Sequence, residues 1–372
     1  MDTAILITSD YCLLSILTMS RNRIIELNNV CIFIFDSFAN SKKMYDSLKS
    51  RNDIGFVKYV KLSKITKKYS QIKLLHFFLH NLNMKRFSKV YIGAYGSMAI
   101  LLFSKFIIRN IRDAQVIYYE EGYTSYILDL NQFFRFGKFK NIIYTLFIPP
   151  RSILRNPIEI WLFLPELSKF AYSIIRRIPK ICYEDIGYFQ EFFSFEFEDI
   201  ERMKAARIIY FGAYNSRPGM ISIEEEQTIV RKIQEKFEGN IRDNIVYKPH
   251  PRSMFDSVVK NDAFCAYSMP WEMIALTLDR ERKILISSMS TACYTGNVIM
   301  DRTDICIFLY KILLDCKSFE YQEMSRFIDK FREMGNEVYS PETEEDLFEE
   351  INRLLSNNKL EKEQFDDKSK EE

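Results

Sequence analysis

Short apolar runs bounded by polar residues recur along the first half of the chain. Segments of helical length lie between them, among them residues 74–82 and 97–108. Strands that alternate with helices are typical of a parallel sheet covered by helices. The first half therefore predicts one α/β domain, with strands at residues 4–8, 30–35, 56–60, 90–92 and 116–119.

The second half repeats this alternation. After a strand at residues 208–211, Ser222 and Glu225 match a capping box, which predicts the start of a helix with Ile229 and Ile233 on one face. The same patterns predict a second α/β domain, with strands at residues 244–247, 283–286 and 304–309 and helices at residues 271–278 and 344–355.

The boundary between the two domains is predicted at residue 200. We expect an α/β chain of two Rossmann-type domains, residues 1–200 and 201–358, that face one another across a cleft. Residues 133–197 are rich in aromatics and prolines and are interpreted as helices and connections that cross between the domains. Residues 359–372 are mostly charged and are predicted to be disordered.

Composition narrows the range of partners and compartments. The chain has 52 basic and 50 acidic residues, a balance that argues against a general nucleic-acid binder. Its 7 cysteines form no CxxC pair, which favours reduced thiols in the cytoplasm. No basic leader opens the sequence, and no apolar run reaches the length of about 18 residues that a membrane span needs. Basic and aromatic residues at 58–68 and 133–140 leave open a peripheral contact with the inner face of the membrane, and a homodimer is also open.

The segment Lys248-Pro249-His250-Pro251-Arg252 follows the predicted strand 244–247 and contains one of only 3 histidines. Proline restricts its own backbone and that of the residue before it, so the imidazole is carried on a stiff, extended segment. A histidine that titrates near neutral pH, flanked by Lys248 and Arg252, is suited to meet a leaving phosphate. The alternative is a turn that ends a strand and carries a surface histidine.

Three further groups of polar residues lie where ligands bind to open parallel sheets, at the carboxyl ends of strands or in the following loops. Glu120 and Glu121 precede Gly122 and could supply a general base, because two close acids push one pKa upward. Ser287 and Ser288 open a turn rich in hydroxyls that suits a phosphate, and Glu272 could hold ribose hydroxyls. The alternatives are an acidic turn, ordinary helix caps and a helix-start glutamate.

No metal site is expected. His76 and His80 have the i,i+4 spacing of zinc ligands, but no third ligand accompanies them. There is no Asp-x-Asp motif, no phosphate-binding loop of the Walker type and no dinucleotide-binding glycine motif.

Together these groups resemble bacterial sialyltransferases of glycosyltransferase family 52, the lipooligosaccharide and capsule group. The resemblance rests on Glu120-Glu121-Gly122, on Lys248-Pro249-His250-Pro251-Arg252, on Ser287-Ser288 and on the opening segment at residues 5–11. It implies a GT-B-like pair of domains, an N-terminal acceptor side and a C-terminal domain that binds the nucleotide sugar. It further implies CMP-sialic acid as donor, inversion at the anomeric carbon and no cofactor or metal.

The resemblance also implies a role for each matching residue. His250 would act as general acid or electrostatic partner of the leaving phosphate, Ser287 and Ser288 would hold that phosphate, and Glu272 would hold the ribose. The remaining donor-side residues are Lys248, Pro251, Arg252 and Gly212, and the acceptor-side residues are Ser9, Asp10 and Tyr11.

The general base is the point where this sequence departs from the family pattern. Some members carry an acid shortly after the glycine that ends the first C-terminal strand, which here is Gly212. No carboxylate follows Gly212 until Glu224. We therefore expect the base to be Glu121 or Glu120, with Glu224 as a weaker candidate.

Two other functions stay open at this stage. The fold is not tied to one donor, so a hexose from another nucleotide sugar is an alternative within the same class. A different class is a non-catalytic partner in capsule assembly that keeps the fold without turnover. The lead expectation is transfer of sialic acid to a terminal sugar, such as galactose, of a bacterial surface glycan.

Overall fold

Two parallel sheets organise the chain in the computed structural model. The structure describes residues 2–38, 40–61, 86–93, 100, 103–104, 107–108, 114–127, 159–168, 174–193, 197–212, 223–237, 245–250, 269–278 and 281–368. The first sheet has seven strands: β1 (Thr3–Ile7), β2 (Val30–Phe35), β3 (Phe56–Val60), β4 (Lys89–Ile92), β5 (Gln115–Tyr119), β6 (Glu159–Leu162) and β7 (Ile174–Arg177). The second has five: β8 (Ile208–Phe211), β9 (Ile245–Lys248), β10 (Ile284–Ser287), β11 (Ile305–Phe308) and β12 (Val338–Tyr339).

Helices follow most strands of both sheets. They are α1 (Asp10–Arg21), α2 (Ser41–Lys49), α3 (Thr124–Ile127), α4 (Ile186–Gln190), α5 (Phe197–Ala205), α6 (Ile223–Lys236), α7 (Trp271–Ala275), α8 (Ala292–Ile299), α9 (Tyr310–Leu313), α10 (Phe319–Glu333) and α11 (Glu344–Lys368). Short 3₁₀ helices lie at Leu27–Asn29, Pro165–Leu167 and Tyr183–Asp185. In the part of the chain that the structure describes, no helix combines the length and apolarity needed to cross a membrane.

The strand order of each sheet reverses once. The first sheet runs β3-β2-β1-β4-β5-β6-β7, and the second runs β12-β11-β10-β8-β9. The chain therefore turns back between β1 and β4 in the first sheet and between β8 and β10 in the second. These are the topological switch points at which open α/β sheets bind ligands.

The central strands are buried on both faces, which explains their unbroken apolar sequences. Every residue of β2 and of β8 to β11 is buried. In the second sheet, alternate residues belong to two different apolar clusters. Ile209 and Phe211 pack into the large cluster that also contains the first sheet's core, whereas Ile208 and Tyr210 pack under α6 and α11. The large cluster joins the two sheets.

The α/β fold with two Rossmann-type sheets is confirmed, and β2, β3 and β8 have the predicted bounds. Three strands were not predicted: β6 and β7, which lie within residues 133–197, and β12. Prolines flank β6, and β7 is a largely exposed edge strand that contains Arg176 and Arg177, so neither has the apolar signature of a buried strand. The predicted helix 74–82 and most of 97–108 lie outside the described residues.

The last helix differs from its predicted extent. α11 continues to Lys368, into the segment that composition predicts to be disordered. Glu, Lys, Gln and Leu dominate this segment, and all four are strong helix formers, so charge alone does not prevent a helix. Helix α7 is shorter than predicted: it ends at Ala275 rather than at residue 278.

Candidate active site

The candidate site lies at the carboxyl edges of the two sheets, at and beside their switch points. Asp10 begins α1 directly after β1, and Lys248 ends β9 beside β8. Glu120 follows β5, and Glu272 lies in the first turn of α7. All four side chains are buried, with 0 to 6% of their surface exposed. Buried ionisable groups at such a position are candidates for function.

Asp10 is positioned by the cap of α1. The side chain of Ser9 accepts a hydrogen bond from the Cys12 backbone N–H at 3.1 Å, which fixes the start of the helix after β1. A carboxylate in the first helical turn interacts favourably with the positive end of the helix dipole. The cap therefore places Asp10 at the switch point of the first sheet.

Burial raises the pKa of Asp10 from its ordinary value of 3.8 to about 7. The charge of Lys248 and a hydrogen bond from Asn40 act in the opposite direction, and the charge of Glu272 raises the pKa further. Asp10 thus lies close enough to two side chains of the second sheet's domain to sense both charges. A carboxylate with a pKa near 7 is suited to act as a general base at neutral pH.

Lys248 and Glu272 form the second domain's part of this cluster. The Lys248 ammonium donates a hydrogen bond to the Met269 carbonyl at 2.8 Å. Glu272 accepts a hydrogen bond from the Thr295 hydroxyl at 2.5 Å, and burial raises the pKa of Glu272 while Thr295 and Lys248 lower it. The ammonium of Lys248 is therefore a buried positive charge that acts on acids from both domains.

Glu120 is enclosed by hydrogen-bond donors. One carboxylate oxygen accepts from the Tyr11 hydroxyl at 2.7 Å, and the other accepts from the Tyr126 hydroxyl and from the Phe163 backbone N–H at 2.7 Å. Burial raises the pKa of Glu120 to about 7, and these hydrogen bonds lower it. With no exposed surface, Glu120 has the environment of an internal acid.

Glu121 and Gly122 continue the same strand end toward the second domain. Glu121 is half-buried, and its backbone N–H donates to the Ser125 hydroxyl at 2.9 Å. Gly122 has a φ of +125°, a conformation that residues with a Cβ rarely adopt. Of the two predicted bases, Glu121 is therefore the one with some surface exposed.

The hydroxyls of the two serines predicted to bind phosphate are turned inward, toward protein partners. The Ser287 hydroxyl donates to the Phe211 carbonyl at 2.9 Å and accepts from the Ser290 N–H at 2.8 Å. The Ser288 hydroxyl donates to the Glu226 carboxylate at 2.7 Å. Both residues are fully buried, so they fix the turn between β10 and α8. Ser290 and Thr291 are the partly exposed hydroxyl residues of this turn.

Gly212 also has a packing role in addition to its place at a strand end. Its N–H donates to the Lys248 carbonyl at 2.9 Å. A Cβ at this position would lie 2.5 Å from the Tyr247 hydroxyl and 3.3 Å from the His250 backbone nitrogen. Glycine is thus needed for the close approach of the segment that carries His250, which is itself half-buried. Pro251 and Arg252 lie outside the described residues.

The structure brings the predicted acceptor-side residues Ser9, Asp10 and Tyr11 together with Glu120, Lys248 and Glu272. It gives Asp10 an electrostatic position that the sequence did not indicate. It also adds Tyr126 and Thr295, which bind the buried acids directly. The available signal for Asp10 was its place after a helix cap at the end of the first strand.

No metal cluster is found among the described side chains: no three His, Cys, Asp or Glu residues there are grouped as ligands would be. His76 and His80 lie outside the described residues. The buried acids interact with hydroxyls, a backbone N–H and the charge of Lys248, and these partners lower pKa values that burial raises.

Two Rossmann-type sheets with their switch points brought together define a GT-B-type fold. Spinosyn rhamnosyltransferase SpnG has a similar structure, with a TM-score of 0.53 and 10% identity, over 96% of this chain and 92% of that one. Arabidopsis thaliana UGT89C1 complexed with UDP-L-rhamnose has a TM-score of 0.47 at 9% identity, over 93% and 88% of the two chains. E. coli heptosyltransferase WaaC with ADP has a TM-score of 0.40 at 12% identity, over 96% and 100%. No protein-family model and no curated protein matches the sequence.

Proposed function

We propose that the protein is an inverting glycosyltransferase that takes its sugar from a nucleotide donor. The observation that carries this proposal is the buried group of Asp10, Lys248 and Glu272 between the carboxyl ends of two Rossmann-type sheets. The likeness to SpnG, a rhamnosyltransferase by its description, supports the same class. A one-step displacement requires a base for the attacking hydroxyl and a positive charge that stabilises the leaving phosphate.

In the proposed mechanism Asp10 is the general base. It accepts the proton of the acceptor hydroxyl while that oxygen forms a bond to the anomeric carbon of the donor. The bond between the anomeric carbon and the phosphate oxygen breaks, and the electron pair leaves with the nucleotide. Lys248 stabilises the charge that develops on this oxygen, and His250 stabilises or protonates it.

We further propose CMP-sialic acid as the donor and a terminal galactose of a bacterial surface glycan as the acceptor. The support is the resemblance carried by Glu120-Glu121-Gly122, by Lys248-Pro249-His250 and by the turn that begins at Ser287. Because Lys248 supplies a buried positive charge, the reaction is proposed to need no metal. A hexose donor is the second candidate, which the likeness to a rhamnosyltransferase favours.

The test is nucleotide release from CMP-sialic acid and, in parallel, from UDP-hexoses and dTDP-rhamnose, each with and without a galactose-terminated acceptor. His250→Ala is compared with His80→Ala, a histidine outside every proposed motif. CMP release that needs the acceptor, persists in EDTA and is lost only in His250→Ala supports the proposal. Turnover of another donor would support a glycosyltransferase but contradict CMP-sialic acid as its donor. CMP binding without turnover would indicate a non-catalytic protein.

A further inference from the structure

Glu120 ties three separate elements of the first domain together. Its carboxylate accepts hydrogen bonds from Tyr11 on α1, from Tyr126 on α3 and from the Phe163 N–H after β6. Its own carbonyl accepts from the Ser15 hydroxyl at 3.1 Å. Tyr11 and Ser15 are one helical turn apart, so both donors lie on the same face of α1. One residue thus holds the first turn of α1 in place.

Asp10 directly precedes Tyr11 on that turn. Successive residues of an α-helix point about 100° apart, so Asp10 leaves the helix in a different direction from Tyr11. The charges of Lys248 and Glu272 act on Asp10, whereas Tyr11 is directed to Glu120. Any shift of Tyr11 along or around the helix axis therefore also moves the Asp10 carboxylate relative to the second domain.

Glu120 itself has no route to a substrate. None of its surface is exposed, and both carboxylate oxygens are engaged with protein donors. To act as the base it would have to give up at least one of these hydrogen bonds and become accessible. The same geometry suits a group that acts through its neighbour.

We propose that Glu120 is a positioning residue for Asp10: its carboxylate holds the first turn of α1 through Tyr11 and thereby sets where the Asp10 carboxylate lies relative to Lys248. This inference rests on the proposed function, in which Asp10 is the base. It assigns Asp10 and Glu120 different roles: Asp10 takes the proton, and Glu120 holds the helix turn that carries Asp10.

The chain offers a matched pair of variants. Tyr11→Phe and Tyr126→Phe each remove one buried phenol hydroxyl from the same carboxylate, but only Tyr11 lies on the helix that carries Asp10. A misplaced catalytic group costs up to about 10²-fold in rate, so we expect Tyr11→Phe to lower kcat by about 10- to 100-fold. The donor KM should stay within about threefold in both variants, and kcat should fall at least about threefold less in Tyr126→Phe than in Tyr11→Phe.

A second readout needs no turnover. The titration of Asp10 is followed by carbon NMR of labelled aspartate carboxyls, with the Asp10 signal assigned by its loss in Asp10→Asn. We expect the Asp10 titration to move in Tyr11→Phe and to stay in place in Tyr126→Phe, although both variants lose thermal stability. Equal effects of the two variants on Asp10, or no effect of either, would overturn the positioning role.

Glu120→Gln separates positioning from direct proton transfer. If Glu120 positions Asp10, the variant keeps measurable activity and keeps the decline of kcat/KM toward low pH, because that decline belongs to Asp10. If the variant loses this decline, Glu120 is itself the base and the inference is wrong. Should wild type turn over no donor at all, the proposed function fails, and the Asp10 titration in the two tyrosine variants still decides the positioning role.

Discussion

The Thr291 hydroxyl accepts a hydrogen bond from the Tyr123 backbone N–H at 3.1 Å. Tyr123 follows β5 of the first sheet, and Thr291 precedes α8 of the second, so this bond joins the carboxyl edges of the two sheets. Gly122 lies against the same threonine: a Cβ at Gly122 would be 3.0 Å from both Cγ2 and Oγ1 of Thr291. The glycine of the acidic motif is therefore a contact residue between the domains.

Substituting Gly122 is expected to weaken this contact. Gly122→Ala combines a strained positive φ, which costs on the order of 1–3 kcal/mol, with crowding against Thr291. We expect a lower free energy of unfolding in urea and weaker nucleotide binding. Adding Thr291→Ser to Gly122→Ala should remove the contact with Cγ2 and recover part of the lost stability. The recovery should be only partial, because the φ strain at residue 122 remains.

Gly335→Ala is the matched control for this prediction. Gly335 also has a positive φ, +88°, but a Cβ there would meet no atom within 4 Å. Its loss of stability therefore reports backbone strain alone. If Gly122→Ala loses no more stability than Gly335→Ala, and Thr291→Ser restores nothing, the contact between the domains does not contribute.

The pKa of Asp10 predicts the pH dependence of activity. Because the base must be ionised, kcat/KM should fall by about tenfold per pH unit once the pH is well below about 7. Asp10→Asn should lower kcat/KM by about 10² to 10⁴ and abolish this decline. Asp46→Asn, an exposed aspartate of α2 paired with Lys42, should change neither. A decline that persists in Asp10→Asn would move the role of base to Glu120 or Glu121.

Glu120 predicts an opposite trend for stability. Its pKa is raised from 4.5 to about 7 by burial, so the folded protein holds this proton where the unfolded chain releases it. The stabilisation is complete below about pH 4 and is lost as the pH rises to about 7. Glu120→Gln carries no such proton, so its stability relative to wild type should improve from pH 4 to pH 8 by roughly 3 kcal/mol at most. Urea unfolding at several pH values measures this difference, and a constant difference would contradict it.

The elements that the sequence revealed are those whose burial determines their composition. β2 and β8 are buried throughout and are therefore continuous apolar runs with clear ends. β7 is largely exposed and carries two arginines, so it pairs with β6 without the continuous apolar run by which a buried strand is predicted. The mixed composition of this region is why the sequence predicts helices and connections, and no strands, over residues 133–197.

The site was predictable as a set of residues but not as an arrangement. Lys248 and Glu272 are candidates because they end a strand or open a helix, whereas Asp10 is a candidate only through the family resemblance. The effect of Lys248 and Glu272 on the pKa of Asp10 depends on how the two sheets pack together, and no local sequence pattern predicts that packing. Ser288 shows the converse: its hydroxyl looked available in sequence, and in the structure it is bound to Glu226, 62 positions away.

Lys248 provides the sharpest test of the electrostatic arrangement, because the chain contains a second buried lysine in the same domain. Lys283 lies at the start of β10, at the opposite end of the sheet, where its ammonium donates to the Lys204 carbonyl at 2.7 Å. Lys248 lowers the pKa of Asp10, so Lys248→Met should move the decline of kcat/KM to higher pH, and Asp10 would then be protonated at neutral pH. Lys283→Met should also lose stability, because it removes a buried hydrogen bond, but the position of the decline should not change. A decline that stays in place in Lys248→Met, or that moves equally in both variants, would show that Lys248 does not control the ionisation of Asp10.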